Sequence, residues 1–179
     1  MLGGRKGFTL IELLIVVAII GILAALLIPN AMSALHKTKV RGTMRDISMI
    51  ATAITDYITD HGVLADQNGQ LTSVNTFIQS ISPFYLKVFP LNDQWANGFW
   101  VYTGSNVGGQ RGINAADVGS DDYLVYSQGK DKANDAFSYN SSNPAAGIYE
   151  LGTNAAFNYD LICWNGQWVR APRVGATGT

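Results

Sequence analysis

The feature that most constrains this chain is an apolar run over residues 8–29, interrupted near its start by a single carboxylate, Glu12. The run is long enough to cross a bilayer as a helix, which needs about 20 apolar residues. A carboxylate in that setting costs roughly 2 to 3 kcal/mol, so it persists only where a cation or a hydrogen-bond donor meets it. Because no Lys or Arg lies between Phe8 and Asn30, the partner must be a backbone group, another subunit, or a new amino terminus made by cleavage after Gly7.

The residues before the run have the character of a targeting leader. They form a short segment that is basic at Arg5 and Lys6 and ends in a small residue, Gly7. In an ordinary secretory signal the small-residue cleavage site follows the apolar stretch, whereas here the small residue precedes it. Cleavage before Phe8 would therefore leave the membrane helix attached to the mature chain.

A specific resemblance is carried by the motif Lys6-Gly7-Phe8-Thr9-Leu10-Ile11-Glu12, which is followed by the apolar run and by Pro29. Over these residues the chain resembles the amino terminus of type IV pilins and type II secretion pseudopilins. The resemblance implies that a prepilin peptidase cleaves after Gly7 and methylates the amine of Phe8. It also implies that Glu12 meets the amino terminus of a neighbouring subunit as the helices stack into a filament.

A local role for Glu12 stays open beside the assembly role. Thr9 and Glu12 have the Ser/Thr-x-x-Glu spacing of a capping box at a helix start. Phe8 and Glu12 are also four residues apart, so a new amine on Phe8 is within reach of the carboxylate of its own chain. The cap and the contact between subunits can apply at different stages.

The helical pattern continues beyond the apolar run and is expected to stop at Gly62, after His61. Pro29 lies inside this pattern and has no amide to donate, so we expect a kink or a loosened turn there. The family resemblance implies that the stretch between Gly21 and Pro29 unwinds as subunits pack. An apolar stripe at alternating intervals of four and three marks the second half of the helix: Val40, Met44, Ile47, Ala51, Ile54 and Ile58.

Beyond the long helix, the sequence predicts a short helix over residues 74–81 and then a small antiparallel sheet. Segments rich in β-branched and aromatic residues indicate the strands. The dipeptide Asn165-Gly166 is a strong signal for a tight turn between the last two. The predicted strands cover residues 98–102, 123–127, 159–164 and 167–170.

The predicted fold class is therefore α+β, with a long N-terminal helix packed on a small antiparallel β-sheet, as in type IV pilins. We expect a leader peptide over residues 1–7 and a transmembrane helix that is also the filament-core segment over residues 8–29. Residues 30–62 should form the amphipathic half of the long helix, and residues 63–179 the globular domain.

Composition restricts the chemistry of the globular part. The formal net charge is -1 and only 14% of the 179 residues are charged, well below the quarter that is typical of soluble domains. This is no footprint for a nucleic acid, so none is expected as a partner. The two histidines have no metal-ligand spacing, and no nucleophile elbow or phosphate loop is present. Cys163 is expected to be a buried strand thiol. We therefore expect no enzyme.

Two further resemblances to pseudopilins lie in the globular part. In residues 93–99 the resemblance predicts a turn in which Asp93 and Asn97 bond backbone amides while Trp95 covers the edge of the core. Residues 126–131 and 159–164 resemble two segments that, in pseudopilins, flank a loop whose two Asp residues and backbone carbonyls hold Ca²⁺.

That second resemblance implies Asp131 and Asp160 as candidate ligands for Ca²⁺, with Asp135 as a less favoured candidate. Carboxylate and carbonyl oxygens suit this cation. The chain departs from the family by a long insertion over residues 136–158 that is rich in Ser, Asn, Ala and Gly. Calcium is the only cofactor that the sequence suggests.

The functional expectation is a structural subunit of a type IV pilus-like filament, either a major pseudopilin of type II secretion or a type IV pilin. The implied partners are copies of the chain in a helical filament, prepilin peptidase, an inner-membrane assembly platform and, before assembly, membrane lipid. The implied location is the bacterial inner membrane, with the amino terminus cytoplasmic and the globular domain periplasmic, and afterwards the periplasmic pseudopilus or cell-surface pilus.

Two alternatives of other classes stay open. A minor tip subunit would bind a ligand, a surface or DNA through Trp100, Tyr102 and the inserted loop. A membrane-tethered enzyme would need a catalytic constellation that the sequence does not display.

Overall fold

One long helix and a six-stranded sheet make up most of the regular structure of the computed structural model, which describes residues 7–173. The long helix α1 spans Leu10–His61 and a second, short helix α2 spans Thr76–Ile81. The strands are β1 Asn68–Gln70, β2 Trp100–Thr103, β3 Tyr123–Ser127, β4 Ile148–Tyr149, β5 Leu161–Trp164 and β6 Gln167–Pro172. The predicted α+β fold class is confirmed.

The sheet has the strand order β1-β2-β3-β5-β6-β4. All neighbours are antiparallel except β4 and β6, which run parallel. In the centre of the sheet Val101 pairs with Val125, which pairs with Cys163. The predicted turn at Asn165-Gly166 joins β5 to β6 and has positive φ at both residues, 49° and 77°, as a two-residue hairpin turn requires.

The main core lies between the second half of α1 and one face of the sheet. Ile47, Ile50 and Ile54 are fully buried and belong to the same apolar cluster as Val125 and Cys163. The predicted stripe on α1 is thus confirmed as the face that meets the sheet. Its contact with β3 is also polar, because the hydroxyl of Tyr123 donates to the carbonyl oxygen of Ala51 at 3.0 Å and lies 2.7 Å from the hydroxyl of Thr55.

The opposite face of the sheet is covered by loops rather than by a helix. Alternate strand residues, including Tyr102, Leu124 and Ile162, point to this second face and form a separate buried cluster. The rings of Trp100 and Tyr102 both stack on Tyr126, at centroid distances of 5.8 and 6.2 Å. Both faces of the sheet are therefore buried, and the long connecting loops pack against the second face.

The chain divides into two units, one up to His36 and one from Lys37 onward. The first unit holds the part of α1 that is long and apolar enough to cross a membrane. Within the described residues α1 is the one helix that meets this criterion. Pro29 lies inside α1, so the helix continues through it, and the unwinding expected between Gly21 and Pro29 on assembly stays a prediction.

Candidate functional site

The start of α1 is closed by a capping box. The backbone amide and the hydroxyl of Thr9 both donate to Oε2 of Glu12, at 2.8 and 2.7 Å. The amide of Glu12 donates back to the hydroxyl of Thr9 at 3.3 Å. The local role predicted from the spacing is confirmed for the single chain.

The cap leaves the start of the helix open to a partner. Glu12 and the neighbouring Phe8 are both exposed, Phe8 by 76%. The large apolar side chains over residues 8–28 are 45–81% exposed, so the lone carboxylate lies in an uncovered apolar surface. Residues 1–6 of the expected leader lie outside the described residues, whereas Gly7, on the amino side of the expected cleavage, is exposed.

The turn predicted at residues 93–99 is organised by Asp93. Its Oδ1 accepts hydrogen bonds from the backbone amides of Trp95 and Asn97, at 2.8 and 2.9 Å. Its Oδ2 accepts from the hydroxyl of Ser127 at 2.7 Å, which fixes the turn to the end of β3. Trp95 is half-buried against the main core, as predicted.

Asn97 differs from the expectation. Its side chain bonds no backbone amide but bridges two glutamines, accepting from Gln70 and donating to Gln128, both at 3.1 Å. The amides of Trp95 and Asn97 donate to Asp93 instead. The side chain of Asn97 is thereby left to connect β1 to the segment after β3.

The two candidate calcium ligands lie in different environments. Asp131 is exposed, and its Oδ1 accepts a hydrogen bond from the amide of Ala133 at 3.1 Å. Asp160 is fully buried, and its Oδ2 forms an ion pair with Nη2 of Arg111. The carboxylate that was expected to hold a metal therefore already has a cationic partner from the chain itself.

Arg111 and Asp160 belong to a buried group of four side chains, which we call the arginine–aspartate cluster: Arg111, Asp135, Asp160 and Arg170. Arg111 contacts Oδ1 of Asp135 at 3.0 Å, and Arg170 contacts Oδ2 of Asp135 at 2.7 Å. The amide of Asp135 donates to Asp160 at 3.2 Å, and the amide of Asp160 donates to Asp135 at 3.1 Å. The cluster joins the β2–β3 connection and β6 to the two residues that lie just before the insertion over residues 136–158 and just before β5.

Aromatic rings complete the surroundings of the cluster. The guanidinium group of Arg170 lies over the rings of Phe137 and Tyr159, at 4.5 and 4.6 Å from their centroids. Such cation–π contacts favour a guanidinium over a hydrated ion. Sequence reasoning missed both arginines, because no local pattern links residues that lie in separate loops and strands.

The donor set does not fit calcium. Calcium takes six to eight oxygen ligands, yet Asp160 is bound to a guanidinium and Asp131 serves an exposed turn. Over residues 7–173 no group of three or more His, Cys, Asp or Glu side chains is arranged to hold a metal ion. The two carboxylates that the resemblance implies are thus not both available as ligands, because Asp160 is already paired with Arg111.

Trp100 and Tyr102, through which a minor tip subunit would bind its ligand, do not form an exposed binding surface. Tyr102 is 6% exposed and Trp100 is half-buried and stacked on Tyr126. Their rings fill the second face of the sheet instead of projecting from it. No observation on the described residues favours a tip-binding role for them.

The long helix with its capped apolar start, and the antiparallel sheet that packs on its second half, define a pilin-like protein, and comparison with known proteins agrees. The prokaryotic N-terminal methylation motif matches residues 3–28. The type II secretion system core protein G of Pseudomonas aeruginosa is 37% identical over 102 residues, which cover 53% of this chain and 71% of that protein. The chain belongs to the family of type IV pilins and type II secretion pseudopilins.

Two further relatives match over the amino-terminal part only. The type IV major fimbrial protein FimA of Dichelobacter nodosus is 48% identical over 63 residues, 35% of this chain and 39% of that protein. A type IV major pilin protein of Neisseria gonorrhoeae is 39% identical over 64 residues, 36% of this chain and 30% of that protein. The chain thus matches less than half the length of these two relatives. No solved structure matches.

Proposed function

We propose that this chain is a structural subunit of a helical, type IV pilus-like filament. The observation that carries the proposal is the uncovered apolar surface of α1, with 45–81% exposure of its large side chains over residues 8–28, and the single carboxylate of Glu12 within it. An exposed apolar surface of this extent needs a membrane or a protein partner. Membrane lipid covers it before assembly, and the helices of neighbouring copies cover it in the filament.

Glu12 supplies the specificity of the assembly step. Prepilin peptidase cleaves after Gly7 and methylates Phe8, and the new amino terminus of one copy then meets the carboxylate of the next. A carboxylate in an apolar filament core needs a cation or hydrogen-bond donors beside it, and the new amino terminus supplies the cation. Contacts of this head-to-tail kind do not close on themselves and therefore generate filaments.

Among filament subunits, we place the chain with the pseudopilins of type II secretion. The match to core protein G extends over 102 residues, whereas the matches to FimA and the gonococcal pilin cover only 63 and 64 residues. In this role the amino terminus is cytoplasmic, the globular part is periplasmic, and an inner-membrane platform drives assembly.

The proposal is tested by two variants that separate assembly from capping. Glu12→Gln keeps a residue that serves in a capping box but removes the charge, whereas Thr9→Val removes the hydroxyl of the box and keeps the charge. We expect Glu12→Gln to reduce cross-linked polymers in membranes by about 100-fold, as loss of a buried ion-pair partner does. Thr9→Val should stay within about fivefold, since a cap contributes only about 1 kcal/mol.

Equal amounts of both variants in the membrane fraction are the control for insertion and folding. If Glu12→Gln polymerises like the unmodified chain while Thr9→Val does not, Glu12 serves the helix cap alone and the assembly role is refuted.

A further inference from the structure

The arginine–aspartate cluster is buried to a degree that is unusual for four charges. The side chains of Asp160, Arg111, Arg170 and Asp135 are 0%, 8%, 12% and 15% exposed. Charges removed from water in this way must be paired and hydrogen-bonded. The two negative charges of the carboxylates equal the two positive charges of the guanidinium groups, so the cluster has no net charge.

The position of one nitrogen is the central observation. Nη2 of Arg111 contacts both Oδ1 of Asp135 and Oδ2 of Asp160, so a single cationic group bridges the two carboxylates. A bridging metal ion would occupy the same place between them. A divalent cation added beside two guanidinium groups would leave two positive charges without counter-charge in a buried site.

The backbone at Arg111 indicates that its position is enforced. Arg111 has a φ of 51°, in the left-handed region that non-glycine residues seldom occupy. Such conformations persist where the surroundings hold the residue in place. The two carboxylates and the ring of Tyr126, 5.3 Å from the guanidinium carbon, provide that hold.

One oxygen of the cluster has no hydrogen-bond partner among the described residues, namely Oδ1 of Asp160. A single buried oxygen does not make a calcium site, since calcium takes six to eight oxygens. Its neighbour Oδ2 accepts the amide of Asp135 and is paired with Arg111, which leaves no second oxygen of this residue for a metal.

We propose that the guanidinium groups of Arg111 and Arg170 replace a calcium ion in this chain, so that the loop between β3 and β5 is held by the chain's own cations. Asp135 and Asp160 lie on either side of the insertion over residues 136–158, and Arg170 on β6 and Arg111 on the β2–β3 connection join them. Folding of the globular unit is then independent of divalent cations. This inference does not depend on the filament role.

The test is thermal unfolding of the full chain in detergent micelles, in excess calcium chloride and in excess EGTA. A calcium site filled to a hundred times its Kd would raise Tm by about 5 to 10 °C. We expect a difference below about 1 °C, which lies far under that shift. Asp131→Asn is the matched variant, because it removes the exposed candidate ligand and leaves the cluster intact, and it should melt like the unmodified chain in both buffers.

The second arm removes the bridging cation. Arg111→Met keeps much of the side-chain volume and should lower Tm by about 10 °C in both buffers, because two buried carboxylates lose their shared partner. Arg111→Lys keeps the charge without the planar fork and should lower Tm by less, which provides a measurement if Arg111→Met does not fold. The proposal is overturned if calcium raises the Tm of the unmodified chain by several degrees and Asp131→Asn abolishes that rise. It is also overturned if Arg111→Met or Arg111→Lys melts at the unmodified temperature.

Discussion

Replacing Asp93 by Ala should be one of the most damaging single changes outside the apolar core. Asp93 is 6% exposed and accepts three hydrogen bonds, from the amides of Trp95 and Asn97 and from the hydroxyl of Ser127, at 2.8, 2.9 and 2.7 Å. A hydrogen bond to a charged acceptor contributes about 1.5 to 3 kcal/mol, and each donor left buried without a partner costs about 1 to 3 kcal/mol. Because the three bonds share one carboxylate, the losses are not additive.

We therefore expect Asp93→Ala to lower the free energy of unfolding by about 4 kcal/mol. Asp93→Asn keeps one oxygen for the two amides and loses the charge, so it should cost about 2 kcal/mol. The control is Asp131→Ala, which removes an exposed carboxylate with one backbone bond and should cost less than about 1 kcal/mol.

The assay is urea unfolding of the full chain in detergent, followed by tryptophan fluorescence, to which Trp95 at the turn contributes. The midpoint should fall in the order Asp131→Ala, Asp93→Asn, Asp93→Ala, with little change in the slope. Equal midpoints for Asp93→Ala and Asp131→Ala would refute the reasoning, since the buried carboxylate would then contribute no more than an exposed one.

Three further predictions concern buried groups. Burial raises the pKa of the Cys163 thiol from 9.0 to about 12. The thiol of the folded chain should therefore resist alkylation at mildly alkaline pH and react only in denaturant. Rapid labelling of the native chain would contradict this prediction. Because the pKa of the thiol is higher in the folded chain than in the unfolded chain, the neutral thiol stabilises the fold fully below about pH 9, and this contribution is lost as the pH rises towards 12. The urea midpoint should therefore fall across that pH range. Gly147→Ala would push a methyl group into the carbonyl oxygen of Val169 and should lower the free energy of unfolding by about 1 to 3 kcal/mol. Gly152 has nothing within 4 Å of the added methyl group, so Gly152→Ala should change that free energy by less than about 0.5 kcal/mol. Equal urea midpoints for the two variants would contradict the close approach of Gly147 to β6.

The parts of the fold that local patterns specify were predictable. The stripe from Val40 to Ile58 follows helical periodicity, and α1 places it on the sheet. Strands β2, β3, β5 and β6 lie within a few residues of the predicted segments, and the turn at Asn165-Gly166 has the expected backbone.

The parts that depend on distant partners were not predictable. Strands β1 and β4 are three and two residues long, too short to show alternation, and they exist because β2 and β6 offer an edge. The arginine–aspartate cluster joins Arg111 to Asp160 across the whole of β3 and the inserted loop, and no spacing rule connects such residues. The resemblance to pseudopilins identified Asp160 as a ligand, yet its partner here is a guanidinium.

The start of α1 shows both sides of this division. The spacing of Thr9 and Glu12 predicted the capping box that the structure contains. A contact between copies cannot be read from one chain, so the assembly role of Glu12 stays a proposal, supported by an apolar surface that the chain itself leaves uncovered.

Mass spectrometry of the intact protein from native filaments tests the filament account most directly. The account predicts a chain that begins at Phe8, with one methyl group added to its amine, because only that cut supplies the positive end that Glu12 requires. A filament protein that retains Met1, or whose first residue is an unmodified one further along α1, would contradict it.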